Sequence, residues 1–231
     1  MFITGFPAGM LQCNCYVLAP SQGADAIIID PGQRAFGPLR RILDENRLTP
    51  AAVLLTHGHI DHMWSAQKVG DTYGCPVFIH PEDRLMLTDP IKGFGPRLAQ
   101  LAMSTMFREP RQVVELDRDG DKIELGGITV TVDHTPGHTR GSVVFRVSGA
   151  LTPDDPEFLS AGPADLALTG DTLFKQSIGR TDLFGGSGRD LLTSIVSKLL
   201  VLDDATVVLP GHGPSSTIGA ERRTNPFLEG L

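Results

Sequence analysis

Three of the chain's seven histidines, together with an aspartate, fall within seven consecutive positions, THGHIDH at residues 56–62. The pattern His-x-His-x-Asp-His is too dense to arise readily by chance at this composition, which makes it a specific signal. Neutral imidazoles and carboxylates are ligands for divalent transition metals. Zinc takes such N and O donors at about 2.0–2.2 Å, and a catalytic site leaves one position open for water. In an extended turn His57 and His59 point the same way because side chains alternate, whereas Asp61 and His62, at the start of a helix, turn toward a second point. The spacing therefore predicts two adjacent metal sites. Taken alone, Asp61 reads more simply as a cap for a helix beginning at His62, but a cap does not require His57 and His59 beside it.

Further candidates stand where apolar runs end: His138 in HTPGH (134–138), Asp171 in TGD (169–171) and His212 in PGHGP (210–214). Each sits among glycines that let the backbone approach closely, and each taken singly reads as either a ligand or a loop residue. Strand ends that converge on one rim can gather such distant residues around one point. Two ions in one site lie about 3.5–4 Å apart, so a bridging carboxylate is expected, with Asp171 the natural candidate. His80 and His134 lack such company and read as core residues or as supports for ligands.

The elements that must position these groups alternate. CNCYVLA, ADAIIID and AAVLLT are apolar runs of the buried-strand type, with a helix expected within RAFGPLRRILDENRL and another along HMWSAQKVGDTYG. CPVFIHPEDRLML repeats the strand, loop and helix order. DKIEL, ITVTVDH and GSVVFRV then read as a meander, followed by the strand LALTGD. RDLLTSIVSKLLVL is expected to bury Leu191, Leu192, Ile195, Val196, Leu199 and Leu200 on one helical face, before a last strand in ATVVLPGH. Residues 88–110 carry a Met-rich amphipathic piece suited to core or lid packing, and 148–165 form a Pro, Gly and Asp-rich surface insertion. Two sets of strands and helices leave room for a two-sheet core.

The chain has 231 residues, long enough to bury its apolar surface without disulfides, and a net charge of −7. Nucleic acid is disfavoured as a partner, because phosphate binding relies on clustered Lys and Arg; Arg222-Arg223 reads as a solvated surface pair. Cys13, Cys15 and Cys75 form an odd set without C-x-x-C spacing, which points to a reducing compartment. The N-terminal stretch has no basic leader region and no apolar run reaches membrane-spanning length, so a soluble, cytoplasmic protein without membrane association is expected.

In order and approximate spacing, THGHIDH, TPGHT, TGD and PGHG resemble the motifs of the metallo-β-lactamase-fold hydrolases over nearly the whole chain. Within that superfamily, GDTLFKQSIGRTDLFGG (170–186) and GHGPSSTIGAERRTNPFL (211–228) look like the single-domain hydrolases similar to glyoxalase II. The resemblance implies one α/β domain over residues 1–231, a four-layer αβ/βα sandwich without a separate C-terminal helical domain. It also implies hydrolysis of S-acyl thiol conjugates such as S-lactoylglutathione, by a hydroxide bridging two divalent metal ions, zinc first, with iron or manganese compatible. His57, His59, His138 and Asp171 would hold one ion; Asp61, His62, His212 and the shared Asp171 the other. Asp61 and Asp171 would serve the chemistry, and Asp30, in IIIDPG, matches a commonly acidic position near the site, though as a residue it also reads as a turn former. Two divalent cations against two aspartates leave the centre positive, which suits a small anionic substrate. Where the glyoxalase II pattern has Lys and Tyr contacts, this chain offers Lys175, Ser177 and Arg180. Arg180 reads either as a bidentate grip on a substrate carboxylate or as a structural ion pair. The same fold also hosts mononuclear iron persulfide dioxygenases and lactonases or other ester hydrolases, so fold and metals do not fix the scissile bond.

Overall fold

The computed structural model describes residues 1–90, 107–149 and 164–230, so most of the Met-rich stretch and of the 148–165 insertion lies outside the described residues. Two six-stranded sheets face each other. The first runs, in spatial order, β1 (Phe2–Ala8), β2 (Cys13–Ala19), β3 (Asp25–Ile29), β4 (Thr49–Leu54), β5 (Val77–Ile79) and β6 (Val113–Glu115). Its first three strands are antiparallel and β3 to β6 run parallel, because helices α1 (Phe36–Asn46) and α3 (Ala66–Tyr73) carry the chain back between strands. The second sheet combines the meander β7 (Asp121–Leu125), β8 (Ile128–His134) and β9 (Val143–Val147) with β10 (Leu166–Gly170), β13 (Val207–Pro210) and β14 (Ser216–Thr217). A small hairpin, β11 (Leu173–Phe174) with β12 (Ser177–Ile178), leaves the end of β10.

Period-two alternation sends each strand's side chains to two apolar layers. Ile27 and Ile29 join Leu54, Phe145, Leu166, Leu168 and Leu209 between the sheets. Ile28, between them in sequence, packs outward with Val17, Val53 and the α1 residues Leu39 and Leu43, four apart on one helical face. On the far side, Val144, Ala167 and Val208 meet α5 (Gly188–Ser194) and α6 (Ile218–Thr224). The result is a helix, sheet, sheet, helix sandwich, the four-layer architecture expected. Among the described residues no helix is long and apolar enough to cross a membrane.

Several local expectations change. The helix expected from His62 divides into α2 (Ile60–Met63) and α3, and the cap position of α2 is His59, so Asp61 lies inside the first turn and caps nothing. After α5 the chain widens into a π-turn over Ile195–Leu199, with Leu200 N–H donating to the Ile195 carbonyl at 2.9 Å. That register buries Leu191, Ile195 and Leu199 but leaves Val196 40% exposed, which narrows the apolar face predicted there. Arg222 is tied down, its guanidinium donating to Asp204 and to the carbonyls of Leu200 (2.7 Å) and Leu202 (3.1 Å). Cys13, Cys15 and Cys75 are buried and free.

Candidate metal centre

Four chain segments deliver the predicted ligands to one place. The loop after β4 brings His57 and His59, and α2 brings Asp61 and His62; the β8–β9 loop brings His138; Asp171 follows β10 and His212 follows β13. His57 Nε2 and His138 Nε2 lie 3.1 Å and 2.8 Å from His59 Nδ1. His62 Nε2 and His212 Nε2 are 3.2 Å apart, and Asp61 Oδ2 is 3.2 Å from His212 Nε2. Asp171 stands between these groups: Oδ1 faces His62 Nε2 at 3.3 Å, while Oδ2 faces His138 Nε2 at 3.5 Å and His212 Nε2 at 3.7 Å. Among the described residues, three sets have ligand atoms mutually within 4.8 Å: His57, His59 and His138; His57, His62 and Asp171; and Asp61, His62 and His212.

The donor chemistry fits divalent cations. Four of the five imidazoles use their outer nitrogen elsewhere: His57 Nδ1 with Thr56 Oγ1 (3.1 Å), His62 Nδ1 with Asp30 Oδ2 (2.9 Å), His138 Nδ1 with the Arg180 carbonyl (2.8 Å) and His212 Nδ1 with the Leu11 carbonyl (3.0 Å). When an outer N–H donates, the tautomer is set and the inner nitrogen presents a lone pair. Such lone pairs within about 3 Å of one another repel unless a cation lies between them. Asp171 Oδ1 is buried without a hydrogen-bond partner among the described residues, as a carboxylate reserved for a cation would be. Gly211 makes the fit possible, since a Cβ there would sit 2.3 Å from Asp171 Oδ1 and 2.6 Å from His62 Cε1.

Electrostatics divides the cluster. Burial holds His57 and His138 below the ordinary imidazole range and, with the His138 and His62 rings beside it, pushes His59 down to about 3. At His62 burial acts the same way but is outweighed by Cys13, Asp171 and Asp30, which raise it; at His212 the Asp61 hydrogen bond and Asp171 do so. Burial opposes ionisation of Asp61 and Asp171, yet the neighbouring histidines hold both carboxyls below the usual range. Without a cation the carboxylates favour protonation of His62 and His212, and metal binding would compete with those protons.

Asp30 proves to be a brace. Held at φ 47°, it accepts from Thr56 N–H (2.8 Å), Thr56 Oγ1 (2.6 Å) and His62 Nδ1. It therefore orients His62 directly and His57 through Thr56. The ligands open into a cavity of about 370 Å³ lined also by Leu11, Ile60, Arg180 and Leu183. Arg180 does two things at once: it lines that cavity, and its Nε and Nη2 donate to Asp182 at 2.7 and 2.8 Å. Lys175 and Ser177 stay on the β11–β12 hairpin and are not among the lining residues; the Ser177 carbonyl accepts from Asn225 Nδ2 at 3.0 Å. His80 and His134 stack on each other, centroids 4.1 Å apart and planes 11° from parallel. Sequence reading missed Thr56 and Asp83. Asp83 hides because HPED reads as an ordinary helix start, Pro followed by acids.

The sequence profile of the Metallo-beta-lactamase superfamily matches residues 8–152, more than half of the chain. The protein belongs to the metallo-β-lactamase superfamily. Among its relatives, the probable metallo-hydrolase YqgX of Bacillus subtilis is 35% identical over 226 residues, covering 97% of this chain and 96% of that one. The hydroxyacylglutathione hydrolase GloC of Haemophilus influenzae is 32% identical over 233 residues, covering 99% and 98%. Among solved structures, the B3 metallo-β-lactamase BLEG-1 matches with 38% identity and a TM-score of 0.78, over 99% of this chain and all of that one. TTHA1623, solved in a di-iron-bound form, matches with 34% identity and a TM-score of 0.73 over the same shares. This metallo-β-lactamase-superfamily protein is a metallo-hydrolase whose His/Asp cluster suits divalent metal ions.

Proposed function

We propose that the protein hydrolyses S-acyl thiol conjugates of small anionic acids, using two divalent metal ions with zinc as the expected pair. The observation that carries this reading is Asp171, whose carboxylate stands between the two groups of histidines in an open cavity, with Oδ1 near His62 and Oδ2 near both His138 and His212. His57, His59 and His138 with Asp171 would hold one ion; Asp61, His62 and His212 with Asp171 the other. Bound there, divalent ions lower the pKa of water toward about 7 and stabilise charge developing on an attacked carbonyl oxygen. Asp61, kept ionised by His212 and His62, would orient the attacking water by accepting a hydrogen bond from its O–H. A thiolate leaves without needing a general acid, because a thiol's pKa is about 8.5. At the rim, the Arg180 guanidinium can exchange Asp182 for a substrate carboxylate in bidentate geometry.

The H. influenzae relative, named a hydroxyacylglutathione hydrolase, supports the thioester reading and is matched over 98% of its own length. An acidic chain whose centre would become positive on binding divalent ions favours a small anion over nucleic acid or a membrane surface. Buried free cysteines suit a cytoplasmic setting. The test is metal analysis of protein purified without added metal, followed by thioester, lactone and persulfide substrates. Two ions per chain with the highest kcat/KM on an acyl thiol is the expected result. One iron per chain with oxygen uptake on a persulfide, or preference for a lactone, would overturn it.

A further inference from the structure

Asp83 is fully buried and carries no ion pair among the described residues, yet it lies beside the metal cluster. It sits in helix α4 (Pro81–Arg84), directly after β5. Its Oδ2 accepts from Gly58 N–H at 2.9 Å and from Thr139 Oγ1 at 2.7 Å, and its Oδ1 accepts from Gly141 N–H at 3.0 Å. Gly58 is the residue between His57 and His59; Thr139 is the residue after His138. One carboxylate therefore ties the ligand loop of the first sheet to the ligand loop of the second. Both loops are pressed against it. A Cβ at Gly141 would lie 2.7 Å from Asp83 Cγ, and one at Gly58 2.8 Å from Met86 Cβ and 3.0 Å from the Asp83 carbonyl.

The same turn makes a second attachment. His80 Nδ1 accepts from Glu82 N–H at 3.3 Å at the start of α4, and its ring stacks on His134, which opens the loop leading to His138. Burial raises the Asp83 carboxyl, and the three donors oppose that by stabilising the ionised form. A buried carboxylate costs stability unless its oxygens are hydrogen-bonded, and here both are, by donors drawn from the two ligand loops.

We infer that Asp83 is a positioning residue for one half of the metal centre, fixing the spacing of His57 and His59 against His138 through their backbones. It touches none of the ligand side chains and does not line the cavity. Asp30 serves the other half, through His62 Nδ1. Asp83 thus acts on the His57, His59 and His138 side alone, whereas Asp30 holds His62 directly and reaches His57 only by way of Thr56.

The inference rests on the two-metal reading, and the experiment separates the two. Metal-free wild type and Asp83→Asn are titrated with zinc against a competing chelator, and with cobalt followed by its visible absorption. Asparagine keeps the size but puts an NH2 group against a backbone N–H. The expected result is one affinity weakened by about 10- to 100-fold, the range for lost outer-shell partners, with the other unchanged. The cobalt band of the weakened, histidine-rich site should fade while the second persists. Thr139→Val, which removes one donor and keeps the shape, should weaken the same affinity by a smaller factor and answers the question if Asp83→Asn fails to fold. Equal weakening at both sites, or no change at either, overturns the inference and leaves the two-metal reading standing. Wild type that takes up no metal tightly overturns that reading, and the inference with it.

Discussion

Replacing Asp30 with Asn is the sharpest perturbation available for the other half of the centre. Asparagine tolerates the left-handed backbone that Asp30 adopts, so the change is chemical rather than conformational. Asp30 accepts from three donors, and an amide offers only one oxygen. If that oxygen stays with Thr56 N–H, the NH2 group faces His62 Nδ1 and forces its proton onto Nε2, the atom aimed at the metal. If the amide turns over, NH2 meets Thr56 N–H. Either way one buried polar contact is lost, at about 1–3 kcal/mol. At 1.36 kcal/mol per decade that corresponds to roughly 5- to 150-fold in affinity for an ion that Asp61, His62 and His212 would hold. Chelator-competition titration reads it directly, with circular dichroism confirming the fold. Affinities within twofold of wild type at both sites would refute the carboxylate-to-imidazole argument.

Removing metal should lower the melting temperature, because ions that bind only the folded state contribute about 4 kcal/mol per site when present at a thousand times their Kd; identical melts with and without chelator would count against a resident ion. Arg180→Ala should leave the melting temperature unchanged, since its pair with Asp182 is solvent-exposed, while raising KM several-fold for carboxylate-bearing acyl thiols. An unchanged KM for every such substrate would dismiss the grip. His80 is pushed down to about 4 by burial and by His134. Its unfolded form takes up a proton near pH 6.5 that the fold resists, so stability present above about pH 6.5 is lost as pH falls toward 4. In His80→Gln the melting temperature should fall less between pH 7 and pH 5; parallel pH slopes for the two proteins would sink the assignment.

The centre was legible because its residues announce themselves: histidines and aspartates at strand ends have few other reasons to crowd. What positions them was less so. Strand β1 was not foreseen, because Gly5 and Pro7 interrupt its alternation, and Pro is tolerated there only because β1 is an edge strand. Strand β6 is three residues long and only Val113 is partly buried, too little pattern to register. The π-turn after α5 alters a helical period that sequence counting assumes constant. Asp83 shows the deeper limit: its partners are backbone N–H groups of Gly58 and Gly141 and a threonine, which carry no signature in sequence and meet it only once both sheets are in place.

The candidate ligands span residues 57 to 212, with the first four on the loop and short helix after β4 of the N-terminal sheet and the last three on loops of the C-terminal sheet. Neither half on its own holds a full set. Cation uptake can therefore be completed only after the two sheets have docked, and a growing chain emerging from the ribosome has no finished site until its last strands are made. Loading would then report correct assembly, with any bound cation tying the two sheets' loops together at the rim of the apolar core that already joins them.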